Sequence, residues 1–177
     1  HRSTHIAVTK QSGDGALKGT SATASTARAC EFTCASGVCT FSGITMWNAA
    51  ASNVVLRFTA TPGPVTTDSA TLTVWPSVIE VDTQPDGADT GDEFTTQPAV
   101  ELKNSDDTAL ATCSDDTLCT VTARIKNGNG PGTLIGGTTV RVAATGAAQG
   151  AYSTIKVDDS AGDGFVLTFY VSAETTT

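Results

Sequence analysis

Residues 41–58, FSGITMWNAAASNVVLRF, return as residues 152–169, YSTIKVDDSAGDGFVLTF, at an unbroken offset of 152 − 41 = 111. Phe41 meets Tyr152, Ile44 meets Ile155, and Val55, Leu56 and Phe58 meet Val166, Leu167 and Phe169. Each copy reads as strand, turn, strand. In the second, Tyr152, Ile155 and Val157 lead into a polar turn at residues 158–164, and Phe165, Leu167 and Phe169 alternate after it. A spacing this long is that of a whole domain, since solenoid units repeat every ~20–50 residues. The 177 residues therefore divide into two copies of one β-module, predicted at residues 1–76 and 77–177.

The duplication extends upstream. Gly13-Asp14-Gly15-Ala16-Leu17-Lys18-Gly19 is similar to Gly130-Pro131-Gly132-Thr133-Leu134-Ile135-Gly136 at an offset of 134 − 17 = 117. The first copy thus holds six extra residues (117 − 111) between the two blocks, placed around residues 29–37, where Cys30 and Cys34 sit with Cys39 just beyond. This reads as a hairpin extension, out along residues 20–32 and back along residues 38–46. At the same offset of 117, Thr4, Ile6 and Val8 alternate as Val121, Ala123 and Ile125 do, which predicts a strand in each copy.

Composition gives the class. Charged residues are 16% of the chain, below the usual ~25%, and 32 threonines, stiff and β-branched, fill the gap. There is no apolar stripe at helical spacing. The alanine run at residues 49–51 falls in the turn of the repeated hairpin, with its second strand predicted at residues 53–61. The class is all-β. A net charge of −8 and a pI near 4.5 argue against nucleic acid, which needs clustered Lys and Arg. No apolar run approaches the ~18 residues of a membrane-spanning helix.

Five cysteines in an acidic, threonine-rich β-protein point to an oxidising compartment. Cys113 and Cys119 flank a short acidic loop and are expected to pair. Cys30 and Cys39 face each other if the extension turns at residues 33–37, leaving Cys34 over; a Cys34–Cys39 pair is the open alternative. Three cysteines within ten residues lack a good fourth ligand for zinc, and His1 and His5 lie far from them in sequence.

Thr83-Gln84-Pro85, then Phe94-Thr95-Thr96-Gln97-Pro98-Ala99-Val100-Glu101-Leu102, then the glycine-rich residues 130–137 and the hairpin that follows resemble the tandem immunoglobulin-like repeats of microbial surface and adhesin-type proteins. Residues 38–75 resemble the back half of such a repeat. The resemblance implies two immunoglobulin-like β-sandwich modules and an extracellular structural role, and it implies no activity. Each module departs from the full pattern. The first lacks a counterpart of residues 77–120, and the second stops before a counterpart of residues 69–75. In that last stretch Ala70, Leu72 and Val74 are expected to face the core. Two explanations stay open: these residues are a window of a longer repeat protein, or each subunit is filled by a neighbour's strand. In the second case the module short of a strand has an open sheet edge, and the N-terminal strand with Thr4, Ile6 and Val8 is the expected assembly donor.

Chemistry-bearing motifs are weak. Asp89-Thr90-Gly91 matches the aspartic-protease triplet, but no second copy exists to complete a carboxylate dyad. Asp158, Asp159 and Asp163 are the best candidates for calcium, which needs six to eight oxygens; turn chemistry accounts for them as well. The first copy has no acid at the same turn, so no metal or other cofactor is expected. With histidines only at positions 1 and 5 and no G-x-S-x-G, no hydrolytic triad is expected. Trp47 and Trp75 are candidates for stacking on a glycan or for packing. The expected function is a non-enzymatic, extracellular, self-associating subunit of a filament or surface fibre. The alternative is a glycan- or host-protein-binding adhesin module.

Overall fold

The computed structural model describes residues 5–18, 30–33, 38–39, 41, 43–63, 65–89, 91–126, 132–143, 149–158 and 165–171. All regular structure among them is β, and there is no helix. The chain forms two compact units, His1–Trp75 and Pro76–Thr177. No described helix is long and apolar enough to cross a membrane.

The first unit contains β1 (His5–Ser12), β2 (Ala16–Lys18), β3 (Cys30–Thr33), β4 (Thr45–Trp47), β5 (Ala49–Thr61), β6 (Val65–Asp68) and β7 (Leu72–Val74). β1 lies between β3 and β5, pairing Ile6 with Phe32 and with Ala60. β6 and β7 pair with β5 along its length. β2 and β4 form a separate antiparallel pair. Side chains of both groups share one core. Val8, Ala51, Val54 and Leu56 are buried, and Leu17, Phe41, Ile44, Met46, Phe58 and Val74 pack against them.

The second unit contains β8 (Val78–Thr83), β9 (Ala99–Lys103), β10 (Thr112–Cys113), β11 (Thr120–Ile125), β12 (Thr133–Ile135), β13 (Thr139–Arg141), β14 (Gln149–Ala151), β15 (Lys156–Asp158) and β16 (Leu167–Val171). β11 lies between β13 and β16, β12 pairs with β15, and β9 lies between β14 and β8. The duplication is therefore structural. Leu17 pairs with Met46 and Leu134 with Val157, and both pairs sit at the repeat offsets. Phe41 and Phe58 stack at 5.3 Å between ring centroids; their counterparts Tyr152 and Phe169 stack at 5.8 Å with nearly the same tilt.

Five expectations are corrected. Residues 49–51 are not a turn. Asn48, at φ 62°, separates β4 from β5, and Ala49, Ala50 and Ala51 begin the 13-residue β5 with both faces buried, which small side chains permit. The repeated stretch is not a hairpin, because β4 pairs with β2 and β5 with β1, as β15 pairs with β12 and β16 with β11. The N-terminal strands align two residues from where the sequence offset puts them. Val8 opposes Phe58 while Ala123 opposes Phe169, so Val8 matches Ala123 and Ile6 matches Val121. The even slip keeps the same side chains inward. The two described strands of the extension do not pair with each other: β3 pairs with β1, and β4 with β2. On the last strand only Val74 packs on the core; Ala70 is exposed and Leu72 is 38% exposed.

Glycine is required at the turn before β13. Gly136 has φ +96°, and a Cβ there would lie 1.9 Å from the Thr154 carbonyl oxygen.

Candidate functional site

In an antiparallel pair, alternate residues turn their backbone groups toward the partner and the rest turn away. Lys156 and Asp158 of β15 pair with Ile135 and Thr133, so Ile155 and Val157 point to the outer edge. In the second unit that edge is filled. The Gly91 amide donates to the Val157 carbonyl at 3.0 Å, the Phe94 amide donates to the Ile155 carbonyl at 3.1 Å, and Glu93 bridges Lys156. Gln97 completes the contact with its side chain. Its Nε2 donates to the Ile155 carbonyl at 3.0 Å and to the Phe94 carbonyl at 3.1 Å, and its Oε1 accepts from the Ile155 amide at 2.9 Å. One side-chain amide thus satisfies a strand residue as a neighbouring backbone would. The segment is shaped for this by the Asp86–Thr96 bridge and by Thr95, whose hydroxyl donates to the Gly87 carbonyl.

The same edge in the first unit belongs to Ile44 and Met46 of the β4 segment. Among the described residues no such hydrogen bond reaches either of them. Burial follows the same division. Ile155 and Val157 are 0% and 7% exposed, whereas Ile44 and Met46 are only partly buried.

The opposite strand shows the reverse asymmetry. In the first unit the outer edge of β5 carries β6 and β7, with a bond from the Ser69 amide to the Leu56 carbonyl at 2.8 Å. Arg57 and Asp68 form a two-pronged ion pair across it at 2.8 and 2.9 Å, which holds the Asp68 carboxyl below its usual range. The counterpart of β5 in the second unit, β16, pairs only with β11 among the described residues. Among the described residues, each unit therefore displays a covered edge for which the other shows no cover.

Comparison with protein-family models, curated proteins and solved structures finds no match.

The residues singled out from sequence fall as follows. Cys113 and Cys119 are buried and joined in a disulfide, with Cα atoms 5.6 Å apart. Asp115 shapes their loop by accepting from the Thr117 and Leu118 amides at 2.9 and 3.1 Å. Cys39 is disulfide-bonded, but the side chains of Cys30 and Cys34 lie outside the described residues, so the proposed Cys30–Cys39 pair does as well. Asp158 sits in β15; Asp159 and Asp163 are outside the described residues. No group of three metal-binding side chains occurs among the described ones. Asp106 accepts from Thr108, Asp107 pairs with Lys103 at 3.3 Å and Asp116 pairs with Arg141 at 3.0 Å, so these acids serve turns and ion pairs. Asp89 is exposed, and Gly91 of its triplet docks the loop on β15. Lys18 lies over the Trp47 ring at 3.2 Å and occupies that face; Trp75 is 45% exposed.

The assembly strand is corrected. Ile6 and Val8 belong to β1, which is paired on both sides within its own unit, and Val8 is fully buried. Such a strand is not free to leave; Thr4 lies outside the described residues.

Two buried polar features were not anticipated. Lys103 of β9 is almost enclosed and contacts Glu80, Asp107 and Glu101. Its ammonium is held above the usual lysine range, chiefly by the hydrogen bond to Glu80 and then by Asp107. Tyr152 donates its hydroxyl to the Val121 carbonyl at 2.9 Å, and burial, with Tyr170 nearby, pushes its phenol above the usual range. The first-unit counterpart, Phe41, has no hydroxyl to make this bond.

Proposed function

We propose that the chain is a non-enzymatic, extracellular structural subunit that self-associates into a filament or surface fibre through its open sheet edges. Its two units are read as immunoglobulin-like modules, as the T-Q-P and Q-P segments suggest. The observation that carries the proposal is the asymmetry of the duplicated units, in which no described residue covers β4 in one or the outer edge of β16 in the other. Open edges template pairing with further strands, and two non-equivalent edges favour head-to-tail growth over a closed dimer. The Cys113–Cys119 disulfide suits an oxidising compartment.

Negative-stain microscopy and sedimentation of the native protein test this. Fibres are expected, and a peptide of residues 65–75, which repeats the strands that cover β5, is expected to cap β16 and shorten them. A protein that stays monomeric at every concentration removes the proposal. Dispersed monomers that bind on a glycan array would favour the adhesin alternative.

A further inference from the structure

The covered edge of β15 identifies what the bare edge of β4 is built to take. We propose that residues 44–46 of the first unit form a docking site, in trans, for an extended protein segment of the Gly-x-x-Phe-x-x-Gln-Pro type. The partner's chemistry is read from residues 91–98 of this chain, which occupy the equivalent position in the second unit.

Three observations support the assignment. The strand pair beneath the site has the same register in both units, Leu17 with Met46 and Leu134 with Val157. The backbone groups of Ile44 and Met46 therefore present the pattern that Ile155 and Val157 present. In the second unit that pattern is met by two backbone amides and by the Gln97 side chain, which bonds both the amide and the carbonyl of Ile155. In the first unit the apolar side chains beside the edge, Ile44 and Met46, pack on the core but stay partly exposed where their counterparts are buried. Among the described residues the edge therefore lacks the hydrogen-bond partners of its counterpart, and its apolar side chains are less covered at the same place.

The recognition rule follows. The incoming segment runs antiparallel to residues 44–46. An amide at its Phe position donates to the Ile44 carbonyl, an amide three residues earlier donates to the Met46 carbonyl, and the Gln side chain clasps Ile44. Without the glutamine, the Ile44 amide loses its counterpart of the 2.9 Å bond seen at Ile155. This inference rests on the assembly reading for its biological setting, but the binding itself does not require fibres.

The test uses the full chain and a labelled peptide of residues 86–98, DGADTGDEFTTQP, followed by fluorescence anisotropy and by amide chemical shifts. Saturable binding is expected, with shifts concentrated at Ile44, Thr45 and Met46. A peptide with Gln97→Ala, and another N-methylated at the Phe94 position, are each expected to bind about tenfold more weakly, as befits the loss of one or two hydrogen bonds. Because these changes are in the peptide, the protein's fold is not in question. No binding, equal binding of all three peptides, or shifts at Ile155–Val157 in place of Ile44–Met46 would each overturn the proposal. Binding at Ile44–Met46 by a protein that never forms fibres retains the docking site and removes the assembly reading. Fibres formed by a protein that ignores the peptide do the reverse.

Discussion

Replacing Gln97 by Ala should destabilise the second unit more than any other single polar truncation on its surface. Gln97 is only half-buried, yet its side-chain amide bonds both the amide and the carbonyl of a residue 58 positions away. Removing it leaves the Ile155 amide, in a residue that is 0% exposed, without its 2.9 Å partner. An unsatisfied buried donor costs about 1–3 kcal/mol. The Ile155 carbonyl keeps its bond from the Phe94 amide, so the further loss there is small. The total is about 2–3 kcal/mol, against a domain stability of about 5–15 kcal/mol. For a unit of this size that corresponds to a fall in Tm of roughly 10–15 °C. Both tyrosines, Tyr152 and Tyr170, lie in the second unit, so near-ultraviolet circular dichroism in their band reports its unfolding. Gln97→Met serves as the control, because it keeps side-chain length without donor or acceptor and should lose nearly as much. A loss below about 0.5 kcal/mol, the range of an ordinary surface substitution, would refute the reasoning, as would a Gln97→Met protein of native stability.

Tyr152→Phe should cost about 1 kcal/mol, the net worth of one hydrogen bond, with the fold intact because Phe41 already fills the equivalent place in the first unit. The same variant should alter alkaline behaviour. The folded Tyr152 phenol titrates above its unfolded value of about 10, so its contribution is present below that pH and lost as pH rises through the folded pKa. Denaturant curves should show this alkaline loss in the native protein and a weaker one in Tyr152→Phe. Replacing Cys113 and Cys119 together by Ala should lower stability by about 2 kcal/mol, as expected for a short closed loop, and non-reducing peptide mapping of native material should recover the two joined. EDTA should leave Tm and any assembly unchanged, because Asp106, Asp107, Asp115 and Asp116 serve turns and ion pairs; a large drop restored by calcium would reverse this.

Much of the fold was legible because apolar spacing and duplication reported the same thing. The offsets of Phe41 to Tyr152 and of Leu17 to Leu134 made the correspondence of the two copies legible, while the pairing of Leu17 with Met46 and of Leu134 with Val157 came only with the structure. What was not legible has physical causes. Residues 49–51 are buried on both faces, so they show no alternation, and alanine has little strand preference of its own. The slip between Val8 and Ala123 was invisible because a shift of two residues leaves a period-two pattern unchanged. The availability of β1 as a donor was misjudged because alternation marks a strand without saying how many neighbours it has. Gln97 stood inside the motif that carried the family resemblance, but its partner Ile155 is brought to it only by the tertiary fold.

The two edges without cover among the described residues also constrain how any assembly could grow. At β4 the missing cover is a segment that brings its own side-chain amide and runs beside three residues. At β16 it is two short strands in line along one edge, as β6 and β7 are for β5. These demands differ in length and in chemistry, so the two edges call for two different covers. An assembly that covers both must use two different contacts per subunit, and contacts of that kind close into a ring only if the rotation between neighbours happens to divide the circle. If the edges are filled in trans, a polar filament is the general outcome, and peptides matching the two covers should act independently, each blocking one end and not the other.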